Sequence, residues 1–333
     1  SYLGIVYNKN LFQQNGWQIP RTTDELIKLC DTIKAAGKIP FTNETKTGYI
    51  DYLTYCLFAQ YMGIEEYYDY FNPITEDDYY RYEKSSAESL ARLYSMYVMD
   101  DLLNPSFGRL SKTAQEDDYG RAQGRVISGE GAMIIIGDWF DNEMSLTIEQ
   151  AKKAGNNYES GMTRFPVISA LSDKLSYWKV FYPAQEQNYR FARSGAAESA
   201  HLEKCDQLLS KIVEYIENGK EGALPSIEHN GNAVTVTVED VEIVEEAMSY
   251  YTSLGSGHTM VIPAYASAKE LAKKFVKLMY SETGIKAFLN GTSGGSLPVK
   301  YDITKWDGYS KATGFQKTVY NLVQSGKAVQ HPH

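Results

Sequence analysis

The stretch GEGAMIIIGDWFDNE, residues 129–143, sets one indole and several carboxylates directly after a short apolar run that Gly137 closes. Residues placed just beyond the carboxyl end of a buried strand are positioned to line a cleft. Trp139 supplies a flat ring there and Asp138 a planar acceptor beside it. That pairing suits a ligand with apolar C–H faces and a rim of hydroxyls, the surface a sugar presents. Tyr49, Asp51 and Tyr52 repeat the mixture as two rings and one carboxylate. Plainer readings stand beside these: Trp139 as a packed aromatic at a strand end, Asp138 as a cap of the next turn, Asp51 as a helix N-cap.

Asp138, Asp141 and Glu143 also invite comparison with a glycosidase carboxylate pair. Such enzymes need two carboxylates at a defined separation across the scissile bond, commonly from different strands, and closeness in sequence does not supply this. His201, His229, His258, His331 and His333 are dispersed, without HExxH or other metal-ligand spacing. No GxSxG elbow after a strand, no P-loop and no strand-borne GxGxxG is found. The expectation is a non-catalytic protein with no cofactor and no metal. A glycoside-active enzyme and a protein-interaction module are the alternatives.

The elements that must position these residues follow from periodicity. Thr22 and Glu25 have capping-box spacing and open a helix with Leu26, Leu29, Cys30 and Ile33 on one face, stopped by Gly37. Helices are expected over 49–62, over 85–99 from a Ser85/Glu88 box, along Leu208, Leu209, Ile212, Val213 and Ile216, and over 239–251. A Ser267/Glu270 box leads a further helix carrying Leu271, Phe275, Leu278 and Met279. Strands are expected at 3–7, 129–137, 164–168, 231–238 (from the alternation of Val234, Val236 and Val238) and 260–263. Strands and helices alternate without repeats, which is the α/β class.

With 333 residues the chain can bury the cores of two ordinary domains. Its 33 Lys and Arg against 42 Asp and Glu give a net charge of −9 and argue against nucleic acid or anionic lipid as partner. The 27 tyrosines suit either carbohydrate stacking or a thick amphipathic core. Cys30, Cys56 and Cys205 form no CxxC or Cys/His pattern, and no run approaches the roughly 18 apolar residues of a membrane span. Gly255–Ser256–Gly257–His258 and Gly294–Gly295–Ser296 are read as turns whose small residues would let backbone approach a ligand.

Three segments carry a family resemblance in order: GIVYNKNLFQQNGWQIPRTTDELIKLCDTIKAAGKIPFT, then GEGAMIIIGDWF, then IPAYASAKELAKKFVKLMYSETGIKAFLNGTSGGSLPVK. Together they resemble bacterial extracellular solute-binding proteins, family 1, of the carbohydrate type. The resemblance implies a periplasmic-binding-protein-like type II α/β fold, with two lobes joined by a hinge and the first lobe incomplete. It implies the main part of the second lobe at 1–168, an insertion or helical extension at 169–256, a returning segment of the first lobe at 257–300 and a return to the second at 301–333. It further implies an ABC importer's receptor that binds a mono- or oligosaccharide between the lobes. Its partners would be the permease subunits in the membrane, with the protein itself a monomer. The full-length form would be an extracellular cell-surface lipoprotein or a periplasmic protein, its signal absent from this chain. Ligand-binding residues are expected at Trp139, Asp138, Tyr49, Asp51 and Tyr52.

Overall fold

The computed structural model describes residues 2–71, 89–184, 187–194, 199–254, 260–291 and 301–330. Its strands are β1 (Leu3–Asn8), β2 (Ile39–Phe41), β3 (Gly131–Gly137), β4 (Ser160–Thr163), β5 (Ser226–His229), β6 (Asn232–Thr235), β7 (Tyr250–Ser253) and β8 (Lys327–Gln330). Six of them form one sheet in the order β2-β3-β1-β7-β8, with β4 also paired to β1. β5 and β6 make a separate hairpin. The helices that bear on the site and its support are α1 (Lys9–Asn15), α2 (Thr23–Ala35), α3 (Tyr52–Met62), α4 (Ile64–Phe71), α5 (Leu90–Leu103), α6 (Tyr119–Ser128), α7 (Phe140–Glu143), α8 (Ser199–Glu217), α9 (Val238–Ser249), α10 (Lys269–Met279), α11 (Glu282–Gly291) and α12 (Gly314–Ser325).

β3 reads GAMIIIG because both of its faces are covered. Met133 and Ile135 enter one core with Leu3, Ile5, Leu26 and Leu53, while Ile134 and Ile136 enter a second with Val6, Val126 and Phe140. The sheet is thus packed on two sides, as an α/β layer arrangement requires. α2 starts as its sequence indicates: Thr22 accepts from the Glu25 N–H at 3.2 Å. The reciprocal half of the box shifts by one residue, since the Glu25 carboxylate accepts from the Arg21 N–H at 2.7 Å.

Residues 169–254 join the first of these cores. Cys205, Leu208, Leu209, Ile212 and Val213 of α8 share it with Cys30 and Ile33 of α2. Asp173 fastens the connection by accepting from the hydroxyls of Tyr61 at 2.9 Å and Tyr94 at 3.1 Å and from the Tyr189 N–H at 3.0 Å. The three cysteines are free and buried.

Several expectations change. Val238 is exposed and begins α9, so the alternation ends at Val236. The helix over 239–251 stops at Ser249, and Tyr250–Ser253 becomes β7, held between β1 and β8 by pairings with residues far away in the chain. Residues 260–263 form no strand, as Pro263 lacks an N–H and none of the described strands pairs with them. The extended piece at 164–168 is reduced to a bridge between Val167 and Thr22, while the strand itself lies at 160–163. α10 has Ala268 at its N-cap without a side-chain bond, so Ser267 does not cap it. Its apolar face is bare, with Leu271 69%, Phe275 57% and Leu278 53% exposed. Ser85 and Glu88, Gly255–His258 and Gly294–Ser296 lie outside the described residues; α5 is capped by Ser89. Among the described residues, no helix is long and apolar enough to cross a membrane.

Candidate functional site

The site begins with the way the loop after β2 is tied to β3. Asn43 donates its side-chain amide to the Ile135 carbonyl at 2.9 Å and accepts from the Ile135 N–H at 2.8 Å, so it pairs with β3 as a further strand residue would. Glu44, also buried, accepts from the N–H groups of Lys46 and Thr47 and from the Thr47 hydroxyl, which closes the loop on itself. Gly48 then takes φ +70°, a conformation costly for other residues, and a 3₁₀ turn delivers Tyr49 and Asp51 to the start of α3. Asn43 and Glu44 were not singled out by sequence. Two polar residues between an apolar strand and a glycine were their only signal.

The result is a row of rings across the end of β3. Trp139 and Tyr49 have centroids 5.7 Å apart at 53°, Tyr49 and Tyr52 are 6.1 Å apart at 32°, and Tyr52 meets Tyr55 at 6.3 Å. Trp139 is half-buried and touches both cores from its edge. Both Tyr49 and Tyr52 have their phenol pKa pushed up, first by burial. For Tyr49 the nearby Glu143 and Glu44 carboxylates and the Tyr119 phenol add to this; for Tyr52 the neighbours Tyr49, Tyr55 and Asp51 do.

Three of the five expected residues, Trp139, Tyr49 and Tyr52, therefore come together. Of the other two, Asp51 stays beside Tyr52, on whose phenol it acts, and Asp138 turns to a different pair of rings. Asp138 lies with Tyr2 and Tyr251, its N–H bonded to the Tyr2 carbonyl at 2.9 Å and its carboxyl pKa raised by burial. Asp51 makes no capping bond to α3. It is exposed at the mouth of a 460 Å³ cleft lined also by Tyr55, Phe58, Tyr70, Phe71 and Arg92. A 620 Å³ depression between Tyr97, Asn188, Arg190 and Arg193 shares no residue with the ring row. Asp141 accepts from Ser160 and Glu143 from Gln123 at 3.1 Å, so the carboxylates at 138, 141 and 143 each have separate partners. Among the described residues, no group of three or more His, Cys, Asp or Glu side chains could hold a metal ion.

A fold of this class is shared with known proteins. The family model for bacterial extracellular solute-binding proteins matches residues 1–170, and the chain belongs to that family. No curated protein matches it by sequence. Among solved structures, MsmE of Bacillus subtilis, a binding protein in an open conformation, is 13% identical with a TM-score of 0.52; the match covers 99% of this chain and 59% of MsmE. A Streptococcus pneumoniae solute-binding protein in complex with the blood group A-trisaccharide is 14% identical with a TM-score of 0.50, covering 99% of this chain and 59% of that one. RafE in complex with raffinose is 23% identical with a TM-score of 0.40, covering 50% of this chain and 40% of RafE. The chain thus spans less than two thirds of each of these proteins. The fold is a mixed α/β architecture similar to that of two-lobe solute-binding proteins.

Proposed function

We propose that this chain forms one wall of the ligand cleft in a non-catalytic, extracellular receptor that delivers a mono- or oligosaccharide to the permease of an ABC importer. The observation that carries this reading is the ring row Trp139–Tyr49–Tyr52 at the carboxyl end of β3. Aromatic faces of this kind stack on sugar C–H surfaces, while nearby carboxylates accept from the hydroxyl rim. The relative in complex with the blood group A-trisaccharide supports the ligand class. On this reading 1–168 is the body of one lobe, 169–256 an extension packed on it, 257–300 a segment belonging to the other lobe and 301–333 a return to the first body. Asp138 and Asp51 serve at the margins of the wall, and the protein acts as a monomer held at the cell surface by a lipid anchor or free in the periplasm.

Titration calorimetry against a panel of mono- and oligosaccharides tests the proposal. Binding of at least one sugar, lost in Trp139→Ala with the fold retained by circular dichroism, is the expected result. No heat with any sugar would end the sugar reading. Sustained turnover of chromogenic glycosides that disappears in Glu143→Gln would replace it with a hydrolase.

A further inference from the structure

The surroundings of Glu143 suit a role in binding. Glu143 ends α7, four residues after Trp139, whose carbonyl accepts from the Glu143 N–H at 2.9 Å, and it is exposed. Gln123 of α6, 1% exposed, donates its side-chain amide to one Glu143 oxygen at 3.1 Å. The other polar atom of that amide, Gln123 Oε1, is buried without a partner. A buried amide left half-satisfied is costly, and here it orients an exposed carboxylate one helical turn from Trp139. Tyr119, the first residue of α6 and 52% exposed, is a further polar group acting on the Tyr49 phenol.

Charge gives this arrangement a preference. The groups acting on the Tyr49 phenol are Glu143, Glu44 and Tyr119, and those acting on Tyr52 are Tyr49, Tyr55 and Asp51. Three carboxylates, Glu143, Glu44 and Asp51, thus act on these phenols, while Arg92 lines the cleft that Asp51 and Tyr55 share. An ionised carboxylate is an acceptor only and takes two hydroxyl or ammonium donors well. A second carboxylate brought beside it, unpaired, is repelled.

We infer that Glu143, oriented by Gln123, is the polar anchor of the ring row, and that it makes the site take neutral or amine-bearing sugars and refuse sugars that carry a carboxylate. This rests on the sugar reading proposed above and narrows it. The ligand meets Trp139 and Tyr49 with its apolar face and turns a hydroxyl or ammonium toward Glu143.

An array of neutral, free-amine and uronate-bearing oligosaccharides, followed by calorimetry of the strongest binder, separates the two ideas. The expected result is binding confined to neutral and amine-bearing members. Glu143→Gln should weaken a neutral binder on the order of tenfold and admit uronate-bearing members that the native protein refuses. Tight uronate binding by the native protein, or an unchanged pattern in Glu143→Gln while Trp139→Ala abolishes binding, overturns the role of Glu143 and leaves the sugar reading standing. No binding to any member removes both. Gln123→Leu, which keeps the volume but drops the donor, should reproduce part of the Glu143→Gln effect; an identical array pattern would refute the positioning role.

Discussion

The indole of Trp139 occupies the space a side chain on Gly137 would need: a Cβ built there would stand 1.9 Å from the ring atom Cζ3. The strand end and the first ring of the row are therefore one packed unit. Gly137→Ala should push the ring away and cost about 1–3 kcal/mol, as overpacking does. Urea denaturation gives the stability loss and near-UV circular dichroism the movement of the ring. An unchanged spectrum and stability would show that the ring does not depend on that space.

Trp139 also packs against both cores. Trp139→Ala should cost roughly 2 kcal/mol, below the full-burial value because the ring is half-exposed. Trp139→Phe should recover part of that stability and part of any sugar affinity. Chemical denaturation and calorimetry on the same preparations check both.

Asp206 gives a pH dependence. It is 4% exposed and accepts from the Thr22 hydroxyl at 3.0 Å. Burial, with the neighbouring Asp24 adding to it, pushes its carboxyl up to about 8. An unfolded-state aspartate ionises near about 4. Between those values the folded chain keeps a proton that the unfolded chain releases, so this contribution to stability is full below the lower value, falls as pH rises and is gone above the upper one. Asp206→Asn should flatten the fall. The difference in melting temperature between variant and native protein should grow from pH 5 to pH 8 by about 5–10 °C; a constant difference would contradict the assignment.

Asp173 receives two tyrosine hydroxyls and one backbone N–H where residues 169–194 meet α3 and α5. Asp173→Ala should destabilise by about 3 kcal/mol, since it strands donors that are out of reach of water, while Tyr61→Phe should cost only about 1 kcal/mol. Urea titrations of both variants settle the order.

Local features were legible in sequence and distant pairings were not. The run MIII announced β3 because a strand covered on both faces must be apolar at every position, and the Thr22 cap followed from side-chain chemistry within one turn. β7 was hidden because Tyr250–Ser253 continues a helical pattern, and only its slot between β1 and β8 makes it a strand. In the site, Trp139 was singled out by its position after a strand and Tyr49 and Tyr52 by the family resemblance and their mixture with a carboxylate; that the three form one row came from the fold. The direction Asp138 takes beyond the strand end depends on its packing beside Tyr2 and Tyr251, which sequence does not show. Glu143 gained its place from Gln123, twenty residues earlier, which only the packing of α6 on β3 brings near.

The bare face of α10 has a practical outcome. Leu271, Phe275 and Leu278 stand in solvent on a helix that also carries Lys269, Lys273, Lys274 and Lys277. Dyes that fluoresce on apolar surfaces will bind this chain while it is still folded, so a dye-reported melt starts bright and understates the transition. The same stripe makes the folded molecules attract one another more as added salt screens the lysines. Static light scattering across an ionic-strength series should therefore show a second virial coefficient that falls with salt, and Phe275→Glu should restore it.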